Sequence, residues 1–239
     1  MATTVIILAA GDGKRLRGLC PDGPPKPFME IGGKPMVRHL IDSVPTGHPV
    51  VVVLSPVGRR LWDEGCFPHD ENIIMTVIQE TPAGTGDALR RALPSCRTDR
   101  ILVVNADAPL LDIPRILSHS PSRPIAMFVA RRWSIRHSGG MGRCVMDPMT
   151  GSWSIHEACT MTEPPHDDDY VNAGVYIMDR RVIEGPIMDL PIHGTEYFLT
   201  DLIAIIPTEA IIIPESEAHR FQGINTPDEY AYVSSLVMI

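Results

Sequence analysis

The sequence has few cysteines and few aromatic residues. Of its 239 residues 5 are cysteines, and aromatic residues make up 5%. No two cysteines stand in a C-x-x-C arrangement, which argues against a disulfide framework or a structural zinc site and favours reduced thiols in the cytoplasm. The cysteines are Cys20, Cys66, Cys96, Cys144 and Cys159.

Long apolar runs and an excess of positive charge are also missing. No apolar run is long enough to span a bilayer, and the N-terminal run lacks the basic residues that begin a signal peptide. The formal net charge is −8, whereas nonspecific nucleic-acid binding needs a basic surface. We therefore expect a cytoplasmic protein without nucleic-acid or membrane partners, in which local cations and a metal ion meet any polyanionic ligand.

What the sequence does contain is the alternation typical of an α/β domain. Hydrophobic residues make up 44% of the chain, enough for one core. Short β-branched runs alternate with segments of helical period, which predicts a Rossmann-like, doubly wound mixed sheet. The predicted strands cover residues 5–8, 50–54, 73–78, 101–104, 125–130, 143–146, 152–156, 171–178 and 210–213. The predicted helices cover residues 33–44 and 196–206, with a last one from Pro227. Another follows the turn at residues 81–84 and carries Ala88, Leu89, Ala92 and Leu93.

The domain organisation follows from the same pattern. The chain is predicted to be a single domain that divides into two halves, residues 1–124 and residues 125–239. The strands at 143–146 and 152–156 are predicted to pair as a hairpin and to form a small subdomain.

The loop after the first strand indicates a polyphosphate site. Small residues from Ala9 to Gly13 let backbone N–H groups point at an anion. Lys14 and Arg15 follow, and prolines on both sides are expected to hold Lys26 on a stiff, extended segment. A dinucleotide fingerprint would need glycine at Leu16, and a Walker A loop would need Gly-Lys-Ser/Thr. A tight strand-to-helix connection with solvated charges remains the alternative.

Polar residues follow two other predicted strands. Gln79 and Asp107 stand at strand ends, where ligands of doubly wound sheets bind. Asp107 is a candidate magnesium ligand, with a turn residue as the alternative. The stretch from Thr226 to Glu229 predicts a capping box with proline at the first helical position. This leaves Asn225 just before the helix, where its side-chain carbonyl can reach a metal.

Two motifs resemble the signature of the sugar-1-phosphate nucleotidylyltransferases. They are LAAGDGKRL at residues 8–16 and Pro25-Lys26-Pro27. Further segments, in order, resemble the uridylyltransferase domain of the bacterial bifunctional N-acetylglucosamine-1-phosphate uridylyltransferases, from Val5 to about Asn225. These segments are Gln79, 84–86, 105–110, 141–143, 171–175, 196–201 and 223–225.

The resemblance implies a reaction and a set of roles. An N-acetylhexosamine 1-phosphate would react with UTP to give a UDP-sugar and pyrophosphate, with Mg²⁺ as cofactor. Catalysis would fall to Arg15, Lys26 and Asp107, and Mg²⁺ would be held by Asp107 and Asn225. Nucleotide contacts would come from Leu8, Ala9, Ala10, Gly11, Gly13, Gln79, Gly84, Thr85 and Asn105. Sugar contacts would come from Gly142, Glu157, Asn172, Tyr197 and Thr200. The half over residues 1–124 would then bind the nucleotide and the half over residues 125–239 the sugar phosphate, with the hairpin as an acceptor-binding subdomain.

Some residues depart from the family pattern. Ala106 stands before Asp107 where the metal motif usually has glycine, and residues 27–30 resemble the hexose-1-phosphate thymidylyltransferases as much. An enzyme that uses CTP or dTTP with another sugar or alcohol phosphate therefore stays open, as does a non-catalytic regulatory protein that binds nucleotide sugars. Self-association into a homo-oligomer stays open too. The Gln79 amide, with its donor and acceptor, predicts a preference for UTP, then dTTP, then CTP.

Overall fold

The computed structural model describes residues 2–11, 13, 16, 23–66, 74–136, 140–157, 161 and 166–237. The predictions for Lys14, Arg15, Ile73 and two of the cysteines fall outside this part of the chain.

The chain forms thirteen strands and seven α-helices within these residues. The strands are β1 (Thr4–Ala9), β2 (Glu30–Ile31), β3 (Lys34–Pro35), β4 (Val50–Leu54), β5 (Ile74–Ile78), β6 (Arg100–Asn105), β7 (Ile125–Arg131), β8 (Arg143–Met146), β9 (Trp153–His156), β10 (Tyr170–Asp179), β11 (Ile192–His193), β12 (Glu196–Tyr197) and β13 (Thr208–Ile212). The helices are α1 (Met36–Ser43), α2 (Pro56–Leu61), α3 (Gly84–Ala92), α4 (Ile113–Ser118), α5 (Arg180–Ile183), α6 (Asp201–Ile205) and α7 (Pro227–Val237). Shorter helical turns include Lys26–Phe28 and Glu215–Phe221.

A nine-stranded mixed sheet forms the centre of the fold. Its strand order is β13-β7-β10-β6-β1-β4-β5, and β8 and β9 extend it from β10. Strand β1 lies parallel to β4 and β6, while β10 runs antiparallel to both β6 and β7. The predicted doubly wound mixed α/β sheet is therefore confirmed.

Helices cover both faces of this sheet because their apolar positions fall on one side of each helix. Val37, Leu40 and Ile41 of α1 pack in one core cluster, and Leu89 of α3 packs in a second cluster on the other face. All five residues of β4 are buried, as expected for a strand covered on both sides. Because β1, β4, β5 and β6 run parallel to one another, the loop after β1 and the ends of β5 and β6 lie at the same edge of the sheet.

The prediction of a helix over residues 196–206 was wrong for the first half of that segment. Glu196–Tyr197 is the short strand β12, paired with β11, and α6 begins only at Asp201. The Tyr197 N–H donates to the Ala83 carbonyl and the Leu199 N–H to Thr85 Oγ1, so this backbone is bonded to the start of α3 and the residue before it. These long-range partners replace the helical hydrogen bonds that the apolar spacing predicted.

The predicted hairpin is confirmed, and β10 beside it carries a bulge. Strands β8 and β9 pair antiparallel, and β8 pairs with the start of β10. Between Asn172 and Tyr176 the register of β10 against β7 shifts. Bulges redirect side chains and are common next to functional sites. The assignment of the hairpin to acceptor binding stays a prediction.

The predicted capping box at the start of α7 is confirmed. Thr226 Oγ1 accepts a hydrogen bond from the Glu229 N–H at 3.3 Å, and Glu229 Oε2 accepts from the N–H groups of Thr226 and Asn225. Glu229 therefore fixes the backbone of Asn225 against the helix start. No helix among the residues that the structure describes is long and apolar enough to cross a membrane.

Candidate active site

A cavity of about 830 Å³ opens at the carboxyl edge of β1, β5 and β6. It brings together most residues that the sequence predicted for the site. These are Leu8, Ala10, Gly11, Gly13, Lys26, Gln79, Gly84, Thr85, Asn105, Asp107, Gly142, Glu157, Asn172, Thr200 and Asn225.

Two of the other predicted residues lie outside this lining. Ala9 is fully buried in the core, on the opposite side of β1 from its neighbours. The Arg90 guanidinium carbon lies over the Tyr197 ring, 5.0 Å from the centroid of that ring. The Tyr197 side chain also packs against the core cluster around α3. This position gives no support to the sugar contact predicted for Tyr197. Arg15 is outside the described residues, so its role stays a prediction.

Lys26 is placed by a turn and not by an extended segment. Pro25 is extended, with φ −53° and ψ 148°, but Lys26–Phe28 forms a 3₁₀ turn with buried Pro27 and Phe28. The φ of proline suits the first positions of a helical turn, which explains why the prolines start one here. Gly13 lies against the lysine stem: its φ is +61°, and a Cβ there would overlap Lys26 Cβ. The glycine loop and Lys26 are therefore one packed unit.

The Lys26 ammonium group lies between two oxygens that come from distant parts of the chain. Its Nζ is 2.6 Å from Asp107 Oδ2 and 2.7 Å from Asn225 Oδ1. The Ala106 N–H donates to the Leu8 carbonyl, which continues the sheet bonding past the end of β6 and places Asp107 at the edge. Ala106, which departs from the family pattern, is almost fully buried and belongs to the lining of the cavity, and Asp107 and Asn225 still meet at Lys26 beside it.

The same two oxygens fit a magnesium ion. A carboxylate and an amide oxygen already converge on one cation, the ammonium, and these are ligand types that Mg²⁺ takes. A Cβ at Gly223 would be in ordinary van der Waals contact with Asp107 Oδ1, at 3.7 Å, so the glycine leaves that space beside the carboxylate open. No group of three or more His, Cys, Asp or Glu in the described part of the chain could hold a metal. The pair therefore suits an ion that completes its shell with water and phosphate oxygens.

Gln79 lies at the other end of the cavity, and its amide is fixed. Its Nε2 donates to the Gly84 carbonyl at 3.0 Å and to Asp87 Oδ2 at 2.9 Å. Both amide hydrogens are therefore used within the protein, and the prediction that this amide offers a donor to the base was wrong. Only Oε1 remains for a ligand.

Asp87 was missed from the sequence. Its side chain is 1% exposed and forms ion pairs with Arg90 and Arg91 at 2.5 and 2.6 Å. Burial raises the pKa of Asp87, but hydrogen bonds from Arg91, Gln79 and Arg90 outweigh that effect and bring the pKa below its usual value. An aspartate on the apolar side of a predicted helix, three and four residues before arginines, was the available signal.

Gly84 connects the Gln79 end of the cavity to the ribbon of β11 and β12. Its φ is +84°, and a Cβ there would overlap the Tyr197 carbonyl oxygen. Only glycine adopts this conformation readily and leaves room for such a close approach. The loop that supports Gln79 is therefore held directly against β12.

The opposite wall presents hydroxyl, amide and carboxyl groups. Thr200 Oγ1 donates to Glu157 Oε1 at 2.6 Å, and the Asn172 amide bridges the β10 bulge, accepting from the Gly174 N–H and donating to the Tyr176 hydroxyl. Burial raises the pKa of Glu157, and the hydrogen bond from Thr200 partly opposes the shift. Tyr176, another residue missed from the sequence, is buried and lines the same wall. This wall can bind the hydroxyl and amide groups of a sugar.

Comparison with known proteins gives a consistent assignment. The model of the MobA-like NTP transferase domain matches residues 5–157. A protein of Acanthamoeba polyphaga mimivirus named "Probable UDP-N-acetylglucosamine pyrophosphorylase" is 26% identical over 252 residues, covering 97% of this chain and 95% of that protein. The bifunctional protein GlmU of Pseudomonas aeruginosa is 28% identical over 235 residues, covering 94% of this chain and 49% of that protein. The chain thus spans nearly the whole mimiviral protein but about half of the bacterial one.

A solved structure agrees with the fold. A putative glucose-1-phosphate thymidylyltransferase from Bacillus anthracis superimposes with a TM-score of 0.72 at 17% identity, covering 98% of this chain and 95% of that one. The family match covers well over half of the chain and includes Lys26, Gln79 and Asp107. The chain therefore belongs to the MobA-like NTP transferase family.

Proposed function

We propose that this protein joins an N-acetylhexosamine 1-phosphate to UTP, giving a UDP-sugar and pyrophosphate. The observation that carries the proposal is the meeting of Lys26, Asp107 and Asn225 at one end of a cavity whose opposite wall carries hydroxyl, amide and carboxyl groups. Family membership supports the reaction type, nucleotidyl transfer. The name of the mimiviral relative supports the choice of UTP and an amino sugar.

The proposed chemistry is a single in-line displacement. A phosphate oxygen of the sugar 1-phosphate attacks the α-phosphorus of UTP, the bond between the α-phosphorus and its bridging oxygen breaks, and pyrophosphate leaves with that oxygen. A phosphate monoester, with a second pKa of about 6, is largely dianionic at neutral pH. The nucleophile therefore needs no general base from the protein.

The residues of the cavity then act by positioning and charge neutralisation. The Lys26 ammonium group neutralises charge on the triphosphate, beside the backbone of Gly11 and Gly13. Asp107 and Asn225 would hold Mg²⁺, which supplies positive charge to the phosphate oxygens when bound. Lys26 must turn away from the two oxygens for this, since its Nζ lies between them.

A substrate panel tests the proposal. Pyrophosphate release is measured with Mg²⁺ for UTP, dTTP, CTP, ATP and GTP, each combined with the 1-phosphates of N-acetylglucosamine, N-acetylgalactosamine and glucose, and with phosphocholine. We expect the fastest release with UTP and an N-acetylhexosamine 1-phosphate, with dTTP second and CTP third. Release only with CTP and an alcohol phosphate would replace this proposal by a cytidylyltransferase.

A separate prediction concerns the cavity wall that contains Glu157 and Thr200, to which we assign the sugar. Glu157→Gln should raise the KM for the sugar 1-phosphate by about tenfold and leave the KM for UTP nearly unchanged, because one carboxylate oxygen on this wall becomes an amide donor. Initial rates at varied concentrations of each substrate measure the two constants. Glu184→Gln, on the exposed surface, is the matched control. A rise in the KM for UTP alone would contradict the assignment of this wall to the sugar.

A further inference from the structure

Gln79 faces two partners that can only accept hydrogen bonds. The Gly84 carbonyl is one, and the Asp87 carboxylate, held ionised between two arginines, is the other. An amide oxygen turned toward either partner would meet another oxygen without a hydrogen between them. The orientation of the Gln79 amide is therefore decided by its surroundings, with Nε2 inward and Oε1 as the only group left for a ligand.

This orientation selects among bases by their N–H groups. Uracil and thymine present a ring N3–H, which Oε1 accepts. Cytosine has an acceptor at N3, and its only N–H on this edge is the exocyclic amino group, farther along the base. Cytosine must therefore shift relative to its ribose or leave two acceptors facing each other.

Asp87 lies behind Gln79 and within α3, with 1% of its side chain exposed. We propose that Asp87 is a positioning residue for base selection, which locks Gln79 as an acceptor and makes the site specific for nucleotides with a ring imino group. This inference rests on the proposed function, since it assigns the nucleotide base to the Gln79 end of the cavity. The inference names Asp87 as the residue that decides whether the base meets the oxygen or the nitrogen of the Gln79 amide.

The replacement Asp87→Asn is nearly isosteric but removes one of the two acceptor-only partners, so that only the Gly84 carbonyl still opposes a turned Gln79 amide. The amide introduced at position 87 can accept from Gln79 Nε2 or, after a turn of its own, donate to Gln79 Oε1. The second arrangement turns Nε2 toward the ligand, where it matches N3 of cytosine. The preference for UTP over CTP should therefore fall in Asp87→Asn, mainly through tighter CTP binding and weaker UTP binding.

Equilibrium binding of UTP, CTP and N3-methyluridine triphosphate, without sugar phosphate, tests the inference independently of turnover. The wild type should bind UTP about tenfold or more tightly than either of the others. Asp87→Asn should reduce the UTP/CTP ratio to a few-fold or less. Arg91→Gln, which removes one ion pair but leaves Asp87 and Gln79 in contact, should keep the wild-type ratio.

Each outcome bears on a different part of the inference. A folded Asp87→Asn protein with the wild-type ratio, or an equal loss of selectivity in Arg91→Gln, would overturn the role of Asp87. The N3-methylated nucleotide needs no variant: wild-type binding as tight as that of UTP would overturn the acceptor assignment even if Asp87→Asn failed to fold. Selective binding without pyrophosphate release for any substrate pair would instead leave the inference standing and overturn the proposed catalytic function.

Discussion

Asp107→Asn is expected to abolish turnover at ordinary magnesium concentrations while the protein stays folded. The carboxylate stands at the end of β6, where its Oδ2 lies 2.6 Å from the Lys26 ammonium group. The substitution removes the only formal negative charge of the Asp107 and Asn225 pair, so both metal binding and charge neutralisation in the transition state should weaken. Steady-state pyrophosphate release, with thermal unfolding as the check on folding, measures the effect.

Asp63→Asn is the matched control for this variant. Asp63 forms an exposed ion pair with Arg59 on α2, and exposed pairs of this kind contribute little to stability. Its activity should equal that of the wild type. Undiminished activity of Asp107→Asn in millimolar magnesium would remove Asp107 from the catalytic site.

Lys26→Ala should lower kcat/KM by roughly two orders of magnitude, as expected when one charged contact is lost from a preorganised site. Lys26→Arg should also be costly, since Gly13 packs against the lysine stem and the guanidinium group is larger and planar. Steady-state kinetics of both variants measure the loss. Lys34→Ala, which removes an exposed lysine on β3, is the control and should behave like the wild type.

A binding measurement separates the roles of Lys26 and Asp107. Without nucleotide, Mn²⁺ as a magnesium substitute should bind Lys26→Ala at least as tightly as the wild type, because the ammonium group no longer lies between the two oxygens. Asp107→Asn should bind it more weakly. Wild-type kinetics for Lys26→Ala would show that the glycine loop and this lysine do not bind the triphosphate.

Local patterns were enough to predict most of the sheet. Val50–Leu54 is a run of β-branched and leucine residues bounded by loops, and its predicted limits match those of β4. The capping box at Thr226 was predicted equally well, since its hydrogen bonds lie within four residues. Such elements depend on neighbours along the chain, which the sequence displays directly.

The errors occurred where distant contacts decide the structure. Residues 196–199 have helical spacing, but Ala83 and Thr85, more than a hundred residues earlier, take their backbone N–H groups. The side chain of Tyr197 then packs toward Arg90 and not into the cavity. Sequence periodicity carries no information about such partners.

The residues of the candidate site show the same difference between those that local patterns predict and those that distant contacts place. Gln79 and Asp107 stand just after β5 and β6, and their convergence follows from parallel strands that share an edge. Lys26 joins them through its contact with Gly13 in the loop after β1. Asp87 accepts a hydrogen bond from Gln79, and the Tyr176 hydroxyl accepts one from Asn172. Their contacts depend on where α3 and the β10 bulge lie in three dimensions, which no local pattern encodes.

Transfer of label from UTP tests the central claim most directly. UTP labelled at the α-phosphate is mixed with N-acetylglucosamine 1-phosphate, magnesium and the protein, and the products are separated. The label should appear in a UDP-sugar, with one pyrophosphate released for each sugar nucleotide formed, and neither product should form with Asp107→Asn. The same measurement is repeated with the other sugar 1-phosphates of the substrate panel. Nucleotidyl transfer by this site would be contradicted if, with all of them, the label stayed in UTP or appeared only in UMP or UDP.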